Sequence, residues 1–418
     1  MDGRRIRIRE PQRCGQEVIF RVWEDSLPPK HPARLIWEVL GRMNLDAFVC
    51  GARVQPDQAG RSLVSRRMVL ALWGYAFTRG IIHAREIARL LKDNDIGFRW
   101  IAADLNVNHS LLSDFLRANG PAIESLFTDV LGALMHQGLL FLTDHVVAQD
   151  GTRLQANAGA GSFRAPAALE ECRQQAELQL KAILARMDDP PLTERQQAAR
   201  ERGAKEVLSR VLLASKIAGE LQERRIASKD KRQQASQARA SVTDPEARFM
   251  KMPNGGFAPG YNLQLAVVGS PMGGAVAVIG LRVVDLGTDK GSLLYMRDEV
   301  QRRTGRLIPS VLVDSDHLTL QELREACDEK LQVISCVPEK WTRMGDPVID
   351  SWTSEMRQEP FKTAYRARKS LVERVNCVFK DTFGIRRVPV RGLRYVLGFC
   401  TLAGLMFNIV QFGSALVS

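Results

Sequence analysis

The 418-residue chain has no CxxC pair, and its seven cysteines are an odd number scattered from Cys14 to Cys400. A disulfide framework and a zinc site are therefore not indicated, and the pattern fits a reducing cytoplasm. No apolar stretch follows the charged start MDGRRIRIRE, so no secretory signal is predicted. No apolar run is long enough to span a bilayer either. The most apolar segment, Tyr395 to Phe407, is broken by Asn408 and Gln411 and falls short of the roughly 18 residues a span needs. It reads as a buried helix, and no membrane partner is expected. The Gly/Ala-rich NAGAGSF at 157–163 lacks the lysine of a phosphate-binding P-loop and reads as a loop.

What the chain has is an excess of cations. Lys and Arg number 59 against 47 Asp and Glu, a formal charge of +12, while 45% of the residues are apolar. The length allows two or three domains with ample core. The combination points to a folded protein whose large partner is polyanionic, with nucleic acid ahead of a membrane surface.

The pattern changes along the chain. Residues 1–32, rich in proline and charge, read as an arm. From 33 to 138 apolar residues recur at helical spacing in the segments 33–43, 66–77, 84–91, 110–118 and 122–135. This predicts an all-helical region, a candidate DNA-binding domain. The segments 84–91 and 110–118 could pair for DNA reading, with Arg85, Arg89, Arg99 and Arg117 as cations. Their linker is too long for a tight helix-turn-helix, and solvated arginines are the competing reading.

At Leu139 the run LLFLTDHVVAQD loses helical period and is followed by Gly151, which predicts a strand ending near Asp150. Residues 164–240 turn helical and highly charged. Leu169, Cys172, Ala176, Leu180, Ile183 and Met187 form one stripe, and Thr193 with Gln196 makes a capping-box start for a second helix. A long antiparallel helical hairpin is predicted, with a basic far end at Arg224–Arg239.

After Pro245 strands return. YNLQLAVV (261–268) and GAVAVIGLRVVD (274–285) predict a hairpin. A helix at about 290–303, a strand ending at Asp314, a helix at 319–327 and a strand at 331–337 follow. A polar loop then runs to Pro360, where a long helix begins and continues to about Thr382. With the insert removed, residues 139–163 and 241–418 form a compact α/β unit with a mixed sheet.

Acids at the C-terminal ends of sheet strands sit where active sites of α/β folds gather. Asp150 and Asp314 both do, and on neighbouring strands they could share divalent cations, the apparatus for attack on a phosphodiester. Asp144, Asp285 and Asp289 are rivals. On the long helix, Arg366, Lys369, Asn376, Cys377 and Lys380 share the face of Glu373, whereas Val372, Val375 and Phe379 line an apolar face. Glu373 could thus complete a metal site flanked by phosphate-binding cations. An exposed helix with an ordinary Lys369–Glu373 pair is the alternative.

These residues resemble a family. The runs VAQDGTRLQANAG (147–159), TDPEARFMK with GYNLQLAV (243–267), and YRARKSLVERVN with VRGLRYV (365–396) are similar to those of bacterial insertion-sequence transposases of the DDE type. HPARLIWEVLGRMNLDAF (31–48) and FRWIAADLNVNHSLLSDF (98–115) resemble their N-terminal helical domain. The resemblance implies an RNase H-like mixed-sheet catalytic core, Mg²⁺ with Mn²⁺ as its substitute, and cleavage with strand transfer at transposon ends. By motif position Asp150, Asp314 and Glu373 are the catalytic and metal-binding acids, and Arg366, Arg368, Lys369 and Lys380 are the DNA-binding cations.

The family's Tyr–Arg–Glu–Lys pattern is met by Tyr365, Arg368, Glu373 and Lys380, with four residues rather than three before the glutamate. That places Arg368 off the face of Glu373 and leaves Lys369 as the phosphate cation. VDSDHLT (313–319) also departs from the family's small, glycine-containing residues by adding Asp316. The resemblance implies double-stranded DNA as partner, a cytoplasmic, nucleoid-bound protein, and a homo-oligomer on DNA as compatible. A disabled transposase-derived DNA-binding protein and a hydrolytic nuclease are the alternatives.

Overall fold

Several helices begin where the sequence supplies a cap. In this computed structural model, which describes residues 22–49, 63–142, 146–185, 193–228, 237–270, 274–342 and 344–417, the first helical region comprises six helices. They are α1 (Pro32–Arg42), α2 (Arg66–Thr78), α3 (Ala84–Lys92), α4 (Ile96–Ala102), α5 (His109–Ala118) and α6 (Gly120–His136). Ser65 Oγ accepts from Met68 N at 3.3 Å to start α2, and Asn108 Oδ1 accepts from Leu111 N at 2.8 Å to start α5. Five of the six were legible from apolar spacing. The seven-residue α4 was not, being too short to show a period, although Asp95 caps it through Gly97 N and Phe98 N.

Three of the four arginines considered for DNA reading are satisfied locally. Arg89 pairs with Glu86 and Asp93, Arg117 with Asp114, and Arg99 donates to Ala103 O, Leu105 O and Asn106.

Eight strands are described: β1 (Val146–Gln155), β2 (Phe163–Arg164), β3 (Ala240–Ser241), β4 (Arg248–Lys251), β5 (Phe257–Gly269), β6 (Val276–Val284), β7 (Ser310–Leu312) and β8 (Gln332–Ile334). Six of them form one mixed sheet, ordered β4–β5–β1–β7–β8, with β6 also on β5. β1 is antiparallel to β5 and parallel to β7, β7 is parallel to β8, and β5 and β6 form the expected hairpin.

The strand expected to end at Asp150 runs on to Gln155. Its parallel neighbour β7 stops at Leu312, but antiparallel pairing with β5 continues as far as Gln155↔Gly260. Gly151 is thus inside a strand and is no turn. Asp144 lies outside the described residues.

The predicted insert is a helical hairpin of α7 (Pro166–Leu184) and α8 (Glu194–Ile226). The capping box at Thr193 and Gln196 is formed. The hairpin leaves and re-enters through the small β2–β3 ribbon, and Leu169, Ala214, Ile217, Ala218 and Ala240 form a small core at its base. Of its basic end, residues 229–236 lie outside the described residues; Arg224 and Arg239 are exposed.

Four helices follow the hairpin strands: α9 (Leu293–Thr304), α10 (Leu320–Asp328), α11 (Pro347–Met356) and α12 (Phe361–Cys377), the last continuing as a π-helical turn through Thr382. The stretch expected to be loop before Pro360 therefore contains a helix. Asp346 caps it through Val348 N and Ile349 N, and Pro347 occupies its first position.

The last helix, α13 (Leu393–Val417), is longer than the apolar segment seen in the sequence and passes by length and composition for a membrane span. Most of it is buried against α1, α6 and β6. One continuous core runs from α1 through the sheet to α13. The buried pair Arg303–Glu299, with Arg303 also reaching Glu124 on α6, ties the helical region to α9.

Candidate active site

Asp150 lies on β1 just beyond the point where β7 ends, and Asp314 begins the turn that follows β7. The vacancy that β7 leaves beside β1 brings the two acids together. One guanidinium nitrogen of Arg368, Nη2, donates to Asp314 Oδ2 at 3.0 Å and lies 3.5 Å from Asp150 Oδ1. The two carboxylate oxygens can be no farther apart than the sum of those distances.

Three further groups surround Asp150. Asn376 Nδ2 donates to its Oδ2 at 3.3 Å, and His317 Nε2 lies 3.6 Å from its Oδ1. His317 is buried, and its Nδ1 meets Ser292 Oγ at 2.8 Å, while Gln149 Nε2 donates to the same Oγ at 2.9 Å. The half-buried Lys380 is the third. Burial, and then the Arg386 charge, push its ammonium below the usual lysine range, against the pull of Asp150.

Asp314 accepts from Asp316 N and Ser315 Oγ, each at 3.4 Å. Asp316 contributes its backbone N–H there, and its residue is exposed.

The helix α12 does not present the face that the sequence pattern selected. Its apolar residues Leu371, Val372 and Val375 are buried, and Arg368 and Asn376, which straddle Val372, reach the acids. Glu373, about 100° from Val372 around the helix, has a side chain 65% exposed and pairs with Lys369 Nζ at 3.7 Å. Arg366 and Lys369 are exposed as well. So Asp150 and Asp314 come together with Arg368 and Lys380, while Glu373, Arg366 and Lys369 lie on the solvent side. Arg368, expected off the face of Glu373, is turned to the two acids as Val372 packs, while Lys369 stays on the face of Glu373. Among the described residues no three acidic, histidine or cysteine side chains gather as a metal-binding group.

Two of the rivals are already taken by partners of their own. Asp285 pairs with Arg248 at 2.7 Å. Asp289 accepts from Arg153 at 2.7 Å, Asn262 at 2.7 Å and Gln264 at 2.6 Å. Its carboxylate fills the space beside Gly151 where a β-carbon would stand. Sequence reasoning did not select His317 or assign a role to Asn376 and Gly151. His317 could have been noticed three positions after Asp314, and Gly151 as a glycine within a strand where another group comes close.

The donor set suits a hard divalent cation. It consists of carboxylate oxygens already holding a positive group, beside the buried Asn376 Oδ1, which has no partner among the described residues. The chain matches no protein-family model, no curated protein and no solved structure.

Proposed function

We propose that the chain is a DDE transposase with an RNase H-like core, cutting DNA at insertion-sequence ends and joining those ends to target DNA. One observation carries the reading. Asp150, inside β1 just past its pairing with β7, and Asp314, in the turn after β7, meet beside a basic helix although the whole helical insert separates them in sequence.

Asp150 and Asp314 would hold Mg²⁺ or Mn²⁺, and Glu373 is the third acid by motif position alone, its side chain here facing solvent beside Lys369. Bound there, the ions supply a water activated at neutral pH and neutralise charge developing on the phosphate. Lys380 and Arg368 bind oxygens of the scissile phosphate, and the exposed Arg366 and Lys369 hold the flanking backbone. The 3′-hydroxyl freed by the first cut attacks the target strand at the same pair of acids, so no side-chain nucleophile is required. Double-stranded DNA is the partner, and the protein works in the cytoplasm on the nucleoid.

The test is an excision assay with the full chain and a plasmid carrying the DNA that flanks its gene. Mg²⁺-dependent cutting and joining at defined ends is expected, with Asp150→Asn and Asp314→Asn losing cleavage but keeping end binding. Cutting of any duplex without joining would mean a hydrolytic nuclease. Binding without cutting would mean a disabled, DNA-binding descendant, a reading favoured by the solvent-facing Glu373.

A further inference from the structure

Most cations of α12 face solvent, but Arg368 does not. Its side chain is 13% exposed, and its Nη2 sits between Asp150 and Asp314. Its Nε is buried without a partner among the described residues, and on α12 itself the guanidinium carbon lies 6.0 Å from the centre of the Tyr365 ring. The other groups facing the pair are Asn376, His317, Lys380 and Tyr365, and Asp314 takes no hydrogen bond from them.

We infer that Arg368 is the internal counter-cation of the metal-free site, holding Asp150 and Asp314 together and competing with divalent cations for them. The inference rests on the metal site proposed above and adds to it. Two carboxylates this close repel each other unless a positive group lies between them. The guanidinium supplies that charge before metal arrives. A divalent cation on the same oxygens repels the guanidinium in turn, so loading the site drives Arg368 out. The anion then within its reach is a DNA phosphate, to which a planar guanidinium fits well. Metal loading would thus release a phosphate-binding cation at the point of cleavage.

The experiment measures Mn²⁺ binding to the full chain by electron paramagnetic resonance, with thermal melting alongside, for wild type, Arg368→Gln, Arg368→Lys and Asp150→Asn. Without divalent ions Arg368→Gln is expected to melt below wild type, because the acids lose their counter-charge. If the acids are free of Arg368 in about one molecule in ten, Arg368→Gln binds Mn²⁺ about tenfold more tightly. Arg368→Lys, which keeps the charge but cannot bridge both acids through a planar fork, falls between the two and covers the case of an unfolded Gln variant. Asp150→Asn loses binding.

Equal or weaker Mn²⁺ binding by the Arg368 variants, with wild type binding and Asp150→Asn not, overturns the role of Arg368 and leaves the metal site standing. Absence of binding in wild type and both Arg368 variants overturns the metal site itself.

Discussion

The carboxylate of Asp289 occupies the space where a side chain at position 151 would stand. Gly151 is therefore a place of close approach between β1 and the loop that follows β6, immediately beside Asp150. Arg153, Asn262 and Gln264 hold Asp289 in that position.

Gly151→Ala is expected to push Asp289 off its donors and to shift Asp150. Crowding a filled site of this kind costs about 1–3 kcal/mol. Urea denaturation checks the stability loss, and any DNA cleavage should fall with it. Wild-type stability for Gly151→Ala would show that the loop yields freely.

Asp289 also makes a pH prediction. Burial pushes its carboxyl up, but the Asn262 hydrogen bond, the His317 charge and the Arg153 pair outweigh this and hold it below the usual carboxylate range. The unfolded chain therefore takes up this proton first as pH falls. The stabilisation is complete above the unfolded value near 3.9 and is lost as pH falls through the lower folded value. Asp289→Asn should lower the urea midpoint near neutral pH, and its gap from wild type should narrow below about pH 4. A gap that stays constant over this range would contradict the argument.

Glu373→Gln separates chemistry from stability. The side chain is exposed and its pair with Lys369 is a surface ion pair, so the change in unfolding free energy should stay under about 0.5 kcal/mol. Cleavage should nevertheless fall by orders of magnitude if this carboxylate turns inward to hold metal. A cleavage rate indifferent to Glu373→Gln would leave Asp150 and Asp314 as a pair.

Asn408 is buried in the middle of the apolar helix α13. Its Oδ1 accepts from Val278 N and its Nδ2 donates to Val278 O, both at 2.8 Å. The amide completes β6 where a bulge shifts its register against β5. Asn408→Leu should strand two buried backbone groups and cost about 2–4 kcal/mol, read from urea denaturation. Unchanged stability would show that water replaces the amide.

Much of the architecture was legible because it is local. Apolar spacing marks five of the first six helices, Thr193 and Gln196 announce α8, and the β5–β6 hairpin and the limits of the helical insert follow from composition. The helix α11 was hidden because its polar, proline-punctuated surroundings read as loop, although Asp346 and Pro347 carry its start signal.

The sequence by itself determined that strands carry or precede Asp150 and Asp314, and that α12 has an apolar stripe at Val372 and Val375 with cations around it. Only the tertiary structure decided that β1 continues through Gly151, because its antiparallel partner β5 outlasts its parallel partner β7. It also decided that Arg368 and Asn376, and not Glu373 and Lys369, look toward the acids. An apolar period says which side of a helix is buried. Which flanking polar residues meet a given strand end depends on how far the helix turns as Leu371, Val372 and Val375 pack into the sheet, and that rotation is a property of the assembled core.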